Sequence, residues 1–304
     1  MKMSFSSSVK SELCKVPVSR KCCALAESYG ILLCCHTFSP MLIRIVTEHP
    51  DFALRLPRLF RKAFGTEFDA APPGEPESGK YVFQITDREK IARVYAAFGL
   101  TAAEAVTLHL NRGALDNDCC DLSFLRGAFL SGGSVIDPGK RYHLELTTTH
   151  AATAAEMYSL LLDLDFAPKA TERSGAAVLY FKQSDQIEDF LTSLGAPLNA
   201  MQIMEAKVEK DLRNVVNRRC NCETANLTKV VDAAQEQLAA IRLLRQSGQW
   251  EKLPPKLRDA AMLREEDPEA TLTEMAERLG VSKSAVNHRM RKLLALAEES
   301  QTGK

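Results

Sequence analysis

The feature that most constrains this 304-residue chain is an internal repeat in its first two thirds. A segment that cannot bury its apolar face alone, copied once in tandem, folds as two packed supersecondary units. The first copy runs from about Lys21 to Leu100. It opens with an apolar helical run, Leu25–Leu33, followed by a strand over Met41–Val46. A helix over Asp51–Phe64 places Leu54, Leu56, Leu59, Phe60 and Phe64 on one side, with Pro57 as a source of a kink. A Pro/Gly segment, Ala71–Gly79, turns into a strand over Tyr81–Ile85, and Thr86 is the expected cap of the next helix, with Glu89 in capping-box position. The second copy repeats this order: a helix over Leu122–Leu130, a strand over Arg141–Thr147, a helix over Ala151–Leu164, a strand over Ala177–Lys182, and Ser184 as a cap like Thr86. Gly30 matches Gly127, and Phe83 and Asp87 match Phe181 and Asp185. Two α/β units of about a hundred residues each therefore form a pseudo-symmetric domain ending near Leu198.

The next segment, Met201–Leu244, is mostly helical, with apolar stripes Val208, Leu212, Val215, Val216 and Leu227, Val230, Val231, Ala234, Leu238, Ile241. The polar run Asn217–Thr224 between them is the expected break and hinge. The last fifty or so residues read as three helices. The first spans Lys256–Glu265. The second starts after a cap at Thr271 or Thr273 and ends at Leu279, with Gly280 in the left-handed position that stops a helix. Ser282 caps the third, whose inward face is Val286, Met290, Leu293, Leu294 and Ala297. Two helices joined by a short glycine turn, the second one capped, make a helix-turn-helix.

The outward positions of that third helix are donors or cations, and no acid occurs from Val281 to Ala297. In such a motif the N-terminal turns of the second helix reach base edges. Asn pairs with adenine, and Arg or Lys with guanine or phosphate. Lys283, Ser284, Asn287 and His288 are accordingly the base-reading candidates, and Ser282, Arg289, Arg291 and Lys292 the phosphate contacts. A helical hairpin with a solvated basic face is the bland alternative. Formal net charge is zero, which argues weakly against a nucleic-acid binder as a whole but not against this concentrated element.

The nine cysteines comprise the adjacent pairs Cys22-Cys23, Cys34-Cys35 and Cys119-Cys120, then Cys220, Cys222 and Cys14. An odd count without a secretion signal points to reduced thiols. The paired C-x2-C spacing of zinc sites is missing, so no metal and no cofactor are expected. No apolar stretch reaches the ~20 residues of a membrane helix. The expected setting is cytoplasmic and nucleoid-associated, without a membrane partner.

Three stretches together resemble the WhiA family of Gram-positive bacterial regulators: Leu125–Gly133, Asn221–Asn226 with Asp232–Ala234, and Leu253–Arg289. The resemblance spans almost the whole chain. It implies an α+β fold of pseudo-symmetric tandem LAGLIDADG-like αββαββα repeats, followed by an all-α helix-turn-helix domain. The corresponding division is 1–110 and 111–216 for the two halves, 217–252 for a helical linker and 253–304 for the DNA-binding domain. In active nucleases of that fold, each motif helix ends in acids that hold a divalent metal, and carboxylates are the right hard ligands for Mg²⁺. Aligned on Gly127 and Gly30, the acidic places here hold Leu130 and Gly132, and Leu33 and Cys35. Leu and Gly cannot ligate Mg²⁺, and Cys is too soft to prefer it. No catalytic residue is expected.

The resemblance further implies a regulator of cell division, chromosome segregation or sporulation genes. Double-stranded DNA is the expected partner, with regulatory or division proteins as further ones. The competing readings are a metal-dependent nuclease with a relocated site and a protein-interaction module. Strand residues Arg44, Lys80, Gln84, Arg141, His143 and Lys182 are candidates for auxiliary phosphate contacts, or equally a solvated sheet face.

Overall fold

The structure, a computed structural model, describes residues 3–76, 78–100, 108–115 and 117–302. Its contacts divide it into two units, residues 1–210 and 211–304. In the first, α1 (Phe5–Lys15) precedes the repeat. The first copy is α2 (Lys21–Leu33), β1 (Thr37–Ser39), β2 (Leu42–Thr47), α3 (Pro50–Phe64), β3 (Tyr81–Ile85) and α4 (Arg88–Ala96). The second copy is α5 (Asp118–Gly132), β4 (Gly133–Val135), β5 (Leu144–Thr148), α6 (Ala151–Asp163), β6 (Lys169–Arg173), β7 (Ala176–Phe181) and α7 (Ser184–Leu194). Helix α8 follows over Pro197–Gln246.

The repeat shows as two antiparallel sheets, β1-β2-β3 and β4-β5-β7-β6. The second copy has the expected αββαββα order; among the described residues the first has one strand fewer. Where β6 would fall, only Ala70 bridges to Gln84. Pro72 and Pro73 follow at once, and proline has no N–H to extend the ladder.

Helices α2 and α5 explain why the two copies form one body. From Ala26 to Leu33 every residue of α2 is buried, as are Phe124, Leu125, Ala128, Phe129 and Leu130 of α5. A helix apolar all round must sit inside a core. The two cross where each has a glycine. A Cβ at Gly30 would lie 2.0 Å from the Phe124 carbonyl oxygen, and one at Gly127 would lie 2.0 Å from that of Glu27. The contact is reciprocal, as a pseudo-two-fold axis requires. The glycine match read from the sequence is thus the crossing point.

Glu27 is fully buried beside this crossing. Arg55 of α3 grips its two oxygens at 2.6 and 2.8 Å, and Arg126 of α5 approaches at 3.5 Å. Arg55 also donates to the carbonyls of Cys14 and Val16, and Arg126 to that of Leu194. One carboxylate thus ties α2 to α3 and α5, and two guanidiniums tie that centre to the chain at Cys14–Val16 and at the end of α7.

Several local expectations shift. Leu54 is 68% exposed, while Leu56, Leu59, Phe60 and Phe64 are buried. Helix α3 continues through Pro57. Asp87, not Thr86, caps α4, accepting from the N–H groups of Glu89 and Lys90. Thr86 instead bonds Asp69. Ser184 is the first residue of α7, behind Gln183. Both copies' opening helices begin earlier than their apolar runs, at Lys21 and Asp118. Asp121, just before the apolar run, therefore lies inside α5. The Asn217–Thr224 run is helical within α8, so the expected break is absent there. Its polar side chains and the neighbouring Leu212, Val215, Val216 and Leu227 are all exposed.

Candidate nucleic-acid interface

In the second unit, α9 (Pro255–Glu266), α10 (Leu272–Arg278) and α11 (Lys283–Thr302) follow α8. The boundaries have chemical causes. Thr271 forms a capping box with Glu274: the Glu274 N–H donates to Thr271 Oγ1 at 3.3 Å, and the Thr271 N–H donates to Glu274 Oε2 at 2.7 Å. Gly280 closes α10 with φ +60°, where a Cβ is disfavoured. The Ser282 hydroxyl oxygen accepts from the Ala285 N–H at 3.2 Å and starts α11.

The core of this unit is Met275 and Ala276 of α10, Leu257, Ala260 and Ala261 of α9, and Val286, Met290, Leu293 and Ala297 of α11. The last turns of the segment expected as a linker add Ala240, Ile241 and Leu244. Arg264 was not singled out from the sequence, yet it is buried at the centre. Its guanidinium donates to Gln237 Oε1 at 3.0 Å and to the carbonyls of Ala270 and Pro268 at 2.6 and 3.3 Å. It fixes the connection between α9 and α10 against α8. The signal was available: Leu257, Ala260, Ala261 and Arg264 share one helical face.

Burial of one arc of α11 leaves the other to solvent. Ser282, Lys283, Ser284, Asn287, His288, Arg291 and Lys292 are exposed, and Arg289 is half-buried. Lys283, Asn287 and Arg291 form one row at four-residue spacing, and Ser284, His288 and Lys292 form the next. At ~1.5 Å per residue the two rows span about 14 Å, close to the ~12 Å width of a major groove. Among the described residues, none of the basic side chains from Lys283 to Lys292 forms an ion pair. The face offers donors and positive charge with no acid to neutralise them.

In the first unit, the four places that an active nuclease would fill with acids are accounted for. Leu33 and Leu130 are buried. Cys35 donates to the Thr37 carbonyl at 3.3 Å, and burial pushes its thiol up to about 12. Gly132 lies so close to β5 that a Cβ would stand 2.3 Å from the Thr147 carbonyl oxygen. The carbonyls that end the two helices have side-chain donors instead. Thr148 Oγ1 donates to Leu33 O at 2.9 Å, and the Lys10 ammonium to Leu130 O at 3.0 Å. Burial lowers the Lys10 amine to about 8.

The sheet residues considered as auxiliary contacts form no continuous basic strip. Arg44 and Gln84 pair across β2 and β3, half-buried. Lys80 lies 3.7 Å from Glu48, and Lys182 lies over the Tyr180 ring. Arg141 is exposed. His143 contacts Glu145 at 3.2 Å, and Arg173 reaches the same carboxylate.

The fold also assembles a group that sequence spacing missed. The thiols of Cys22, Cys119 and Cys120 lie within 4.8 Å of one another, and Cys23 Sγ is 3.5 Å from Cys119 Sγ. The adjacent pairs carry no C-x2-C signature because the four thiols come from two helices.

Residues 122–213 match the WhiA LAGLIDADG-like domain, and residues 216–297 match the WhiA C-terminal HTH domain. A "Probable cell division protein WhiA" from Ruminiclostridium cellulolyticum is 37% identical, over 97% of each chain. A protein of the same description from Alkaliphilus oremlandii is 36% identical, over 99% of each. The crystal structure of full-length DUF199/WhiA from Thermatoga maritima superposes with TM-score 0.59 at 24% identity, covering 97% of this chain and 98% of that one. The likeness in fold thus extends over both units' sequence. Among the described residues no helix is long and apolar enough to cross a membrane.

Proposed function

The chain belongs to the WhiA family, and on that premise we propose that it is a non-enzymatic regulator that binds double-stranded DNA through α11. The observation that carries this is the acid-free face of Lys283, Ser284, Asn287, His288, Arg291 and Lys292, exposed and without ion pairs among the described residues. Lys283, Ser284, Asn287 and His288 read base edges. Ser282, Arg289, Arg291 and Lys292 hold phosphates, and the three cations among them release counterions on binding. The LAGLIDADG-like unit acts as a scaffold, because each acid position holds a group that cannot ligate Mg²⁺ in place. The relatives' description as probable cell division proteins supports cell-division genes as the regulated class; chromosome segregation and sporulation genes are the neighbouring classes. The protein then works in the cytoplasm, on the nucleoid.

Fluorescence anisotropy on genomic-fragment DNA, across a salt series with Mg²⁺ present and the products run on a gel, tests this reading. Salt-sensitive binding without cleavage is expected. Arg291→Ala should weaken binding to all sequences and lower the salt slope by about 1. Asn287→Ala should cost ~1–3 kcal/mol on the cognate site only. Equal loss on all DNA in both variants overturns the base-reading assignment. Cleaved product overturns the non-enzymatic reading, and binding that ignores salt overturns the DNA reading itself.

A further inference from the structure

Four of the nine cysteines converge at the N-terminal ends of the crossing helices. Cys22 and Cys23 are the second and third residues of α2, and Cys119 and Cys120 the second and third of α5. Their separations, 119 − 22 and 120 − 23, both equal 97, the same as 127 − 30 for the glycines at the crossing. The pseudo-two-fold that makes the glycines meet therefore also makes the two cysteine pairs meet, at the end of the helix pair opposite the lost acid positions. Cys120 is buried and the other three are half-buried.

We propose that Cys22, Cys23, Cys119 and Cys120 are the four ligands of a soft divalent transition-metal site, with Zn²⁺ as its natural occupant. A tetrahedral ion with Zn–S bonds of about 2.3 Å sets its sulfurs about 3.8 Å apart. Here Cys23 and Cys119 already stand 3.5 Å apart, and Cys22, Cys119 and Cys120 lie within 4.8 Å of one another. Cys23 lies outside the group of three and would turn inward from Cys119 to become the fourth ligand. Sulfur ligands select Zn²⁺ over the hard Mg²⁺ that carboxylates would hold.

Charge supports the assignment. On binding, four thiols release four protons, and Zn²⁺ with four thiolates carries a net charge of −2. Such an anion needs positive surroundings. Both ligand pairs sit in the first turns of helices, where unpaired N–H groups point outward and the helix dipole is positive. The Arg20 guanidinium lies 3.9 Å from Cys119 Sγ. The metal would bolt the first copy of the repeat to the second across their shared helices.

The test uses the full-length chain, purified anaerobically under reducing conditions and titrated with Co²⁺, then with Zn²⁺. One equivalent of Co²⁺ should give sulfur-to-metal charge-transfer bands and the visible bands of tetrahedral cobalt, and Zn²⁺ should bleach them. C119S and C22S should each weaken binding by at least tenfold. The double variants C34S/C35S and C220S/C222S should bind as the unaltered chain does. Because all six tyrosines lie at or before Tyr180 and Trp250 is the sole tryptophan, tyrosine signals report the first unit and tryptophan the second. Zn²⁺ should raise the thermal midpoint seen by tyrosine in the unaltered protein but not in C119S. The proposal is overturned if no thiolate–cobalt bands form, if they survive C119S and C22S, or if the isolated protein carries a Cys23–Cys119 disulfide that zinc does not prevent.

Discussion

Glu27 offers the sharpest test of how the first unit is held together. The carboxylate is 0% exposed, and the two guanidiniums that meet it, Arg55 and Arg126, are 9% and 11% exposed. Glu27→Gln keeps the shape but removes the charge. Arg55 then keeps one of the two oxygens it grips at 2.6 and 2.8 Å and meets an NH2 donor at the other, and two positive groups face each other without a counter-ion. Breaking a buried pair by removing one partner costs about 3–5 kcal/mol. Against the ~5–15 kcal/mol that stabilises a whole domain, that is a large share. With a urea dependence of about 1–3 kcal/mol per M, the midpoint should fall by at least ~1 M. The assay is urea unfolding followed by near-UV circular dichroism of the tyrosines, with Trp250 fluorescence in the same cell as an internal reference for the second unit. Adding Arg55→Met to Glu27→Gln should return part of the loss, because it deletes the orphaned charge. A midpoint shift below ~0.3 M, or a double variant no more stable than Glu27→Gln, would refute the claim that charge at this centre matters beyond packing.

The remaining predictions concern packing and pH. Gly127→Ala places a Cβ 2.0 Å from the Glu27 carbonyl oxygen, so the helices must separate, and the tyrosine-reported midpoint should drop by more than the ~1–3 kcal/mol usual for overpacking. Gly74→Ala, which meets nothing within 4 Å, should be close to neutral. Asp69 is held down to about 2, first by the Lys90 ammonium and then by the N–H groups of Asp87 and Thr86. Its folded value lies below its unfolded one, so its contribution is full above about pH 4 and disappears as pH falls through 2. The stability difference between the unaltered chain and Asp69→Asn, followed from pH 7 to about pH 1, should therefore shrink, with its steepest loss between about pH 4 and pH 2; a constant difference would show that the hydrogen bonds, not the charge, are what counts.

Much of this was legible in the chain. The repeat, the Gly30–Gly127 match and the acid-free helix were all visible as patterns, because glycine at a close crossing and a one-sided charge distribution leave direct marks in sequence. Strand Tyr81–Ile85 was read to the residue because its buried and half-buried positions alternate. Three kinds of feature were not legible. Helix starts were set at the first apolar residue, Leu25 and Leu122, whereas the helices begin at Lys21 and Asp118. Cys22-Cys23 and Cys119-Cys120 lie in those first turns, so their place on the two helices is not visible from the apolar runs. The ties of Glu27 to Arg55 and Arg126 join residues 28 and 99 positions apart, a separation that no local pattern encodes. The run Asn217–Thr224 looked like a break because its residues are polar, but a helix exposed on every side has no apolar period to display.

The two ends of the α2–α5 pair lead to one electrostatic argument. At the C-terminal end the helix dipoles are negative, the end where a nuclease places a cation between carboxylates. Here that end is supplied with donors: the Thr148 hydroxyl on Leu33 O and the Lys10 ammonium on Leu130 O. With its amine near 8, Lys10 is mostly charged at neutral pH. A divalent ion arriving there would meet a buried positive charge as well as missing ligands. Replacing the acids one at a time would not reverse this, because any Cβ at Gly132 collides with the Thr147 carbonyl and the ammonium would remain. The N-terminal end has the opposite polarity, and there the chain places four thiols, whose metal complex is an anion. Each end of the helix pair thus carries the charge that its dipoles favour, and the pair keeps the symmetry of a nuclease core while its only convergent soft-ligand set among the described residues lies at the other pole.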